Sequence, residues 1–329
     1  MATRLVFTGK QQVSSEEFAP GRPGEGEVLL RNVCSLMSTG TENIVFNRLF
    51  DPGTHWDNWV KYPFYPGYCA IGEVVEVGKA VDNLKLGQLV AHRGPHASER
   101  VCKAGEAYPV PEGVRPESAA WFGLAKIAFM GAKAVRYSLG DSVLVVGAGP
   151  IGQMTVRWAN AVGASGLVAV DMVAARLELA RRGGAGHVFA KALSESLVPE
   201  VAAACGGELP QVVVDTTGNA AVFTEALRFA RKYGRVLLLG DTGAPAQQRL
   251  SPDVILKGLT IVGAHDPHTT AEWPESRIVQ LFFELVGTGR FNMDGLNTHT
   301  FRPAQHAEAY RVANQERGGT MGIVFDWRA

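Results

Sequence analysis

Residues 142–171, SVLVVGAGPIGQMTVRWANAVGASGLVAVD, constrain the fold more than any other stretch of the chain. An apolar run from Val143 to Val146 meets Gly147, Gly149 and Gly152 in G-x-G-x-x-G spacing, with Pro150 and Ile151 between the last two glycines. A helical pattern follows, then a second apolar run that stops at Asp171, 19 positions after Gly152. Strand, glycine turn, helix, strand and acid in this order read as a dinucleotide site. The glycines let a pyrophosphate approach the backbone N–H groups, the helix dipole adds positive potential, and the carboxylate accepts hydrogen bonds from the adenosine ribose.

From Ser142 to Gly263 apolar runs at Val143, Leu167, Val188, Val212, Arg235 to Leu239 and Leu259 to Val262 alternate with helical patterns at Pro150 to Val162, Ala174 to Arg182 and Ala220 to Arg231. The runs are continuous rather than alternating, as in strands covered on both faces. This predicts a doubly wound parallel sheet whose ligands bind beyond the carboxyl ends of its strands. Thr217-Gly218, Leu239-Gly240 and Ala264-His265 stand at those ends and join Gly147 to Gly152, Asp171 and Arg176 as candidate cofactor contacts.

Residues 1 to about 115 read differently: EVLLRNV and IGEVVEV have strand composition, Pro-Gly pairs punctuate them, and no helical period is evident. The segment Asn47 to Tyr65 carries six aromatic residues in nineteen positions, which either pack over a core or line a binding cleft. Pro116 to Tyr137 is Ala-rich with helical spacing. Lys126 interrupts its apolar face, either snorkelling to water or serving chemistry. The tail, TMGIVFDW, reads as a strand that returns to the first domain.

Lys plus Arg and Asp plus Glu both count 32, so no basic surplus argues for nucleic acid. No apolar run reaches membrane-spanning length and the N-terminus is not a signal peptide. Cys34, Cys69, Cys102 and Cys205 lie far apart, suiting reduced thiols in a cytoplasmic protein.

The strings PGYCAIGEVVEVG, GDSVLVVGAGPIG, VVVDTTGN, KYGRVLLLG and KGLTIVGA, in this order, resemble the medium-chain dehydrogenase/reductase superfamily over essentially the whole chain. The resemblance implies an α/β protein: a GroES-like β-barrel catalytic domain (1–118 and 270–329) and a Rossmann domain (119–269) that binds NAD, commonly assembled as a homodimer or homotetramer. Many of its alcohol and polyol dehydrogenases hold a zinc through the Cys of C-G-T/S-D and the His of G-H-E. Here Ser38-Thr39-Gly40-Thr41-Glu42 and Gly67-Tyr68-Cys69 stand in those places, and the third ligand has no match around Trp121 to Gly123. The resemblance therefore implies a zinc-independent enzyme, although Cys69 with a nearby histidine leaves a non-standard metal site open. S-T-G-T-E, P-G-Y and the M-G-I-V-F-D-W ending resemble the branch containing bacteriochlorophyllide hydroxyethyl dehydrogenases and relatives acting on sugars or other secondary alcohols.

Without zinc, another group must move the proton and polarise the carbonyl of an alcohol/ketone substrate. Lys126 is the candidate cation or base, Tyr68 the proton carrier, with packing as its alternative role, and His265 the reserve. Asp171 would repel a 2′-phosphate, which favours NAD over NADP, with Arg176 the one cation within reach. An NAD(P)H-dependent reductase of quinones or enones, and a nucleotide-binding sensor or structural protein without catalysis, are the two other readings.

Overall fold

In the computed structural model residues 1–328 are described; residue 329, the last of the expected substrate domain, lies outside the described residues. The chain divides into two compact units. One comprises Met1–Leu124, Glu275–Gly289 and the residues from Met293 onward; the other comprises Ala125–Pro274 and Arg290–Asn292. Among the described residues no helix is long and apolar enough to cross a membrane.

The first unit opens with an antiparallel hairpin that the sequence did not predict, β1 (Ala2–Gly9) and β2 (Gln12–Phe18). Strand β3 (Glu27–Met37) begins with alternating burial and becomes fully buried from Cys34 to Met37. Two helices follow, α1 (Thr39–Asn47) and α2 (His55–Trp59), in a region expected to lack them. Both are short, and the apolar residues Ile44, Val45 and Phe46 are consecutive, so no helical period showed; packing against a core of Leu5, Phe7, Val60 and Tyr310 supplies their stability instead. The aromatic segment mainly packs: Trp56 is buried in that core and Tyr62 donates its hydroxyl to Val45 O at 3.0 Å, whereas Trp59 is exposed.

Strands β4 (Ala70–Val77), β5 (Leu89–His92), β6 (Glu99–Lys103) and β7 (Ala107–Pro109) then build on β3, around Val28, Leu30, Val74 and Val90. The single helix expected over 116–137 is two, α3 (Pro116–Ala119) and α4 (Phe122–Ala134), separated where Trp121 turns inward to donate to Asn297 Oδ1 at 2.8 Å.

In the second unit six parallel strands, β8 (Ser142–Val146), β9 (Gly166–Val170), β10 (His187–Phe189), β11 (Val212–Asp215), β12 (Arg235–Leu238) and β13 (Thr260–Gly263), lie in the order β10-β9-β8-β11-β12-β13. The order reverses between β8 and β11, and there the strands' carboxyl ends leave a crevice for ligands. Helices α5 (Pro150–Val162), α6 (Ala174–Arg182), α7 (Val198–Ala204), α8 (Ala220–Ala226) and α9 (Asp253–Lys257) connect the strands over a core of Leu144, Val168, Val213, Phe223 and Phe229. The chain re-enters the first unit with α10 (Glu275–Gly287), β14 (Asn297–Phe301), α11 (His306–Gln315) and β15 (Gly322–Asp326). β15 pairs antiparallel with β3 and completes the order β14-β15-β3-β4-β5-β7.

Two glycines fix where α5 leaves β8. Gly147 has φ +88, which L side chains rarely adopt, and a Cβ on Gly152 would stand 2.0 Å from Gly147 O. Gly149 meets open space. Replacing Gly152 with Ala must push α5 off β8 and should cost about 2 kcal/mol or more. Gly149→Ala should change stability by less than about 1 kcal/mol, and urea unfolding of both variants checks the difference.

Candidate active site

At the carboxyl edge of the second unit's sheet the sequence-predicted cofactor residues stand together. Gly149 caps α5, with Pro150 and Ile151 as its first residues, so the helix presents N–H groups and the positive end of its dipole there. Asp171 follows β9 and is tied to the loop: its Oδ2 accepts from Ala148 N at 2.7 Å and its Oδ1 from Val173 N at 2.8 Å. Arg176 brings a guanidinium nitrogen to 4.0 Å from the same carboxylate.

Next to it, Asp215 ends β11 fully buried, where burial raises its carboxyl's pKa while the Thr217 N–H and hydroxyl, at 2.8 and 2.6 Å, act in the opposite direction. Gly218 has φ +63, and a Cβ on Gly240 would stand 2.3 Å from Gly218 N, so the loops after β11 and β12 touch backbone to backbone beside Leu239. Ala264 N donates to Leu238 O at 3.2 Å and carries the edge on to His265.

Lys126 belongs to this unit too. Its residue is 3% exposed, and its ammonium does not snorkel to water but pairs with Asp266 at 2.9 Å. His265, the neighbour of that carboxylate, is exposed, and its N–H donates to His268 Nδ1 at 3.2 Å.

Tyr68 belongs to the first unit, where its hydroxyl meets Ser38 Oγ at 2.5 Å. The Arg93 guanidinium lies 4.9 Å from the centre of its ring and is paired with Glu275 at 3.3 Å. These side chains close over Gly123, where a Cβ would stand 2.4 Å from Arg93 Nη1 and 2.5 Å from Cys69 Sγ. Burial pushes the Tyr68 phenol well above the usual tyrosine range and Cys69 adds to it. Hydrogen bonds from Ser38 and Thr41 and the charge of Arg93 pull it back only in part. At neutral pH the phenol therefore keeps its proton.

Behind Ser38 lies a buried polar network that sequence reasoning missed. Glu42 Oε1 accepts from Ser38 N at 2.8 Å, and its Oε2 accepts from the Tyr310 hydroxyl at 2.5 Å and faces His96 Nε2 at 3.2 Å. His96 Nδ1 meets Ser35 Oγ at 2.7 Å, and Ser35 accepts from Trp327 Nε1 at 2.9 Å. The Thr41-Glu42 string was visible, but its partners are 54 and 268 positions away. Arg93 and Asp266, paired with Glu275 and Lys126, escaped notice for the same reason.

At the positions where the resemblance places zinc ligands stand the hydroxyls of Ser38 and Thr39, the phenol of Tyr68 and the thiol of Cys69. One thiol among hydroxyls does not make the three nitrogen, sulfur or carboxylate donors that a catalytic zinc requires. Among the described residues no group of three or more His, Cys, Asp or Glu could hold a metal ion.

The alcohol dehydrogenase GroES-like domain model matches residues 24–176, and the zinc-binding dehydrogenase model matches residues 150–283. The D-guloside 3-dehydrogenase of Escherichia coli (strain K12) is 26% identical over 274 residues, covering 80% of this chain and 78% of that protein. The L-threonine 3-dehydrogenase of Paraburkholderia phytofirmans is 29% identical over 310 residues, covering 83% and 86%. Among solved structures, a Sinorhizobium meliloti protein bound to NADP superposes with TM-score 0.83 at 17% identity, over 99% of both chains. An alcohol dehydrogenase from Escherichia coli CFT073 complexed with NADH gives 0.81 at 20%, again over 99% of both. Family models spanning both halves of the chain, and dehydrogenases matching most of its length, make it a member of the medium-chain dehydrogenase/reductase superfamily and an oxidoreductase of the alcohol dehydrogenase type.

Proposed function

We propose that this protein is an NAD-dependent dehydrogenase that interconverts a secondary alcohol and its ketone on a sugar, cyclitol or other ring compound, without zinc. The observation that carries the reading is the Tyr68–Ser38 hydroxyl pair, 2.5 Å apart, standing where zinc ligands are expected. The D-guloside 3-dehydrogenase relative supports a ring substrate.

The second unit suits the cofactor. Gly149, Pro150, Ile151 and Gly152 would hold the pyrophosphate at the start of α5, and Asp171 the ribose hydroxyls. Thr217, Gly218, Leu239, Gly240 and Ala264 would line the nicotinamide half. The carboxylate of Asp171 disfavours a 2′-phosphate, and Arg176, beside it, is already drawn to that carboxylate. When bound, the nicotinamide supplies or accepts the hydride.

The proton is the protein's task. In ketone reduction the Tyr68 phenol, kept protonated by burial, gives its proton to the carbonyl oxygen as the alcohol forms. Ser38 and Arg93 then face the charge left on the phenol oxygen. In alcohol oxidation the phenol must first release its proton to solvent, and the phenolate, facing Ser38 and Arg93, then takes the hydroxyl proton as hydride leaves. Lys126, held by Asp266, serves as a fixed cation, and His265 is the second candidate for proton transfer. The reduced thiols of Cys34, Cys69, Cys102 and Cys205 suit a cytoplasmic protein.

A second copy is expected on the β13 edge. There the sheet order ends, and Tyr233, Ile255 and Leu256 are 75%, 87% and 77% exposed. Light scattering should give a homodimer, or a homotetramer built from such dimers, and Ile255→Asp should break that β13 contact and lower the assembly to the smaller species.

Absorbance at 340 nm with a panel of polyols and NAD, against enones and NADPH, tests the reaction; turnover confined to enones would replace the reading with a double-bond reductase. Tyr68→Phe should lower kcat by about a hundredfold or more while NADH still binds. Wild-type ketone reduction should stay flat from about pH 6 to about pH 9, because the phenol does not titrate there. NAD should bind more tightly than NADP, and Asp171→Ser should narrow or invert that preference.

A further inference from the structure

Beneath the glycine loop the second unit buries two polar side chains that the steps above leave without a role. Gln153 and Arg157 lie one turn apart on α5 and are both 0% exposed. Gln153 Nε2 donates to Ala148 O at 2.8 Å and to Arg176 O at 2.8 Å. Its Oε1 accepts from Arg157 Nη1 at 2.9 Å, and Arg157 also donates to Gln153 O at 3.0 Å and Asn292 O at 2.7 Å. Burial draws the guanidinium down to about 10, so it remains charged at neutral pH and is held by oxygen acceptors.

Both peptide groups at Ala148 are thereby held by side chains: its N–H by Asp171 at 2.7 Å and its carbonyl by Gln153. The peptide joining Ala148 to Gly149 is planar and trans, so its carbonyl and the Gly149 N–H point in opposite directions. Drawing the carbonyl inward to Gln153 turns the Gly149 N–H outward, at the residue whose side-chain position is open. A leucine at 153 would fill the space but leave two inward carbonyls without their donor.

We propose that Gln153, held in place by Arg157, is a positioning residue of the dinucleotide site, which aims the Gly149 N–H at the cofactor's pyrophosphate by binding the Ala148 carbonyl. This rests on the dinucleotide reading of residues 142–171. It assigns the two side chains to affinity for the pyrophosphate and not to the adenosine pocket.

Calorimetric titration of the full chain with ADP-ribose and, separately, adenosine tests it. Gln153→Glu keeps the shape and an oxygen facing Arg157 but cannot donate. It should weaken ADP-ribose binding about tenfold or more and leave adenosine within about twofold. Arg157→Lys keeps the charge but loses the planar fork, and should show the same selective loss at about threefold. It carries the test if Gln153→Glu does not fold by circular dichroism. ADP-ribose affinity within twofold of wild type in a folded variant, or equal loss for both ligands, would overturn the proposal. Failure of the wild-type chain to bind ADP-ribose would instead overturn the dinucleotide reading.

Discussion

The contact between Gly152 and the carbonyl of Gly147 sets the geometry of the second unit. It lets α5 begin directly at the end of β8, in the middle of the six-stranded sheet, where the strand order reverses. A side chain at position 152 would lift the helix from the strand, and the N–H groups of its first turn would no longer meet the crevice. Asp171, Thr217 and Gly240 gain their meaning from that placement, because each follows the carboxyl end of a strand that borders the crevice or lies next to one that does. Close backbone approach, not any single hydrogen bond, makes the site.

In the first unit the governing interaction is the buried carboxylate of Glu42. It accepts hydrogen bonds from Ser38 N and the Tyr310 hydroxyl and faces His96, joining α1, α11 and the segment after β5. A buried carboxylate is tolerated only when its oxygens are satisfied, so these partners are interdependent. The network holds the turn that carries Ser38, and with it the hydroxyl that meets Tyr68. At the two positions where the resemblance places zinc ligands, the structure thus has a hydrogen-bonded hydroxyl pair.

The sequence revealed most where a backbone requirement leaves a residue-type signature. Gly147, Gly149 and Gly152 with Asp171 marked the sheet's central crossover, and the continuous apolar runs marked all six of its strands. Helices α1 and α2 left no such mark, since nine and five residues stabilised by tertiary contacts need no apolar period. The β1–β2 hairpin was hidden by its polar second strand. Lys126 stood out as a charge on an apolar helix, yet its carboxylate lies 140 positions on, and only the fold brings Asp266 to it. Glu42 and His96 are ordinary residues until their partners are known. Periodicity reports local order, whereas a polar site is assembled by contacts distant along the chain.

The account centres on proton transfer through a hydroxyl pair in place of a metal. Removing divalent metal from the purified protein with 1,10-phenanthroline, confirming its loss by elemental analysis, and following NAD reduction at 340 nm with an active polyol tests that most directly. Undiminished turnover in the metal-free protein, unchanged by added zinc, is the predicted result. Loss of turnover on chelation, restored by one equivalent of zinc, would contradict it.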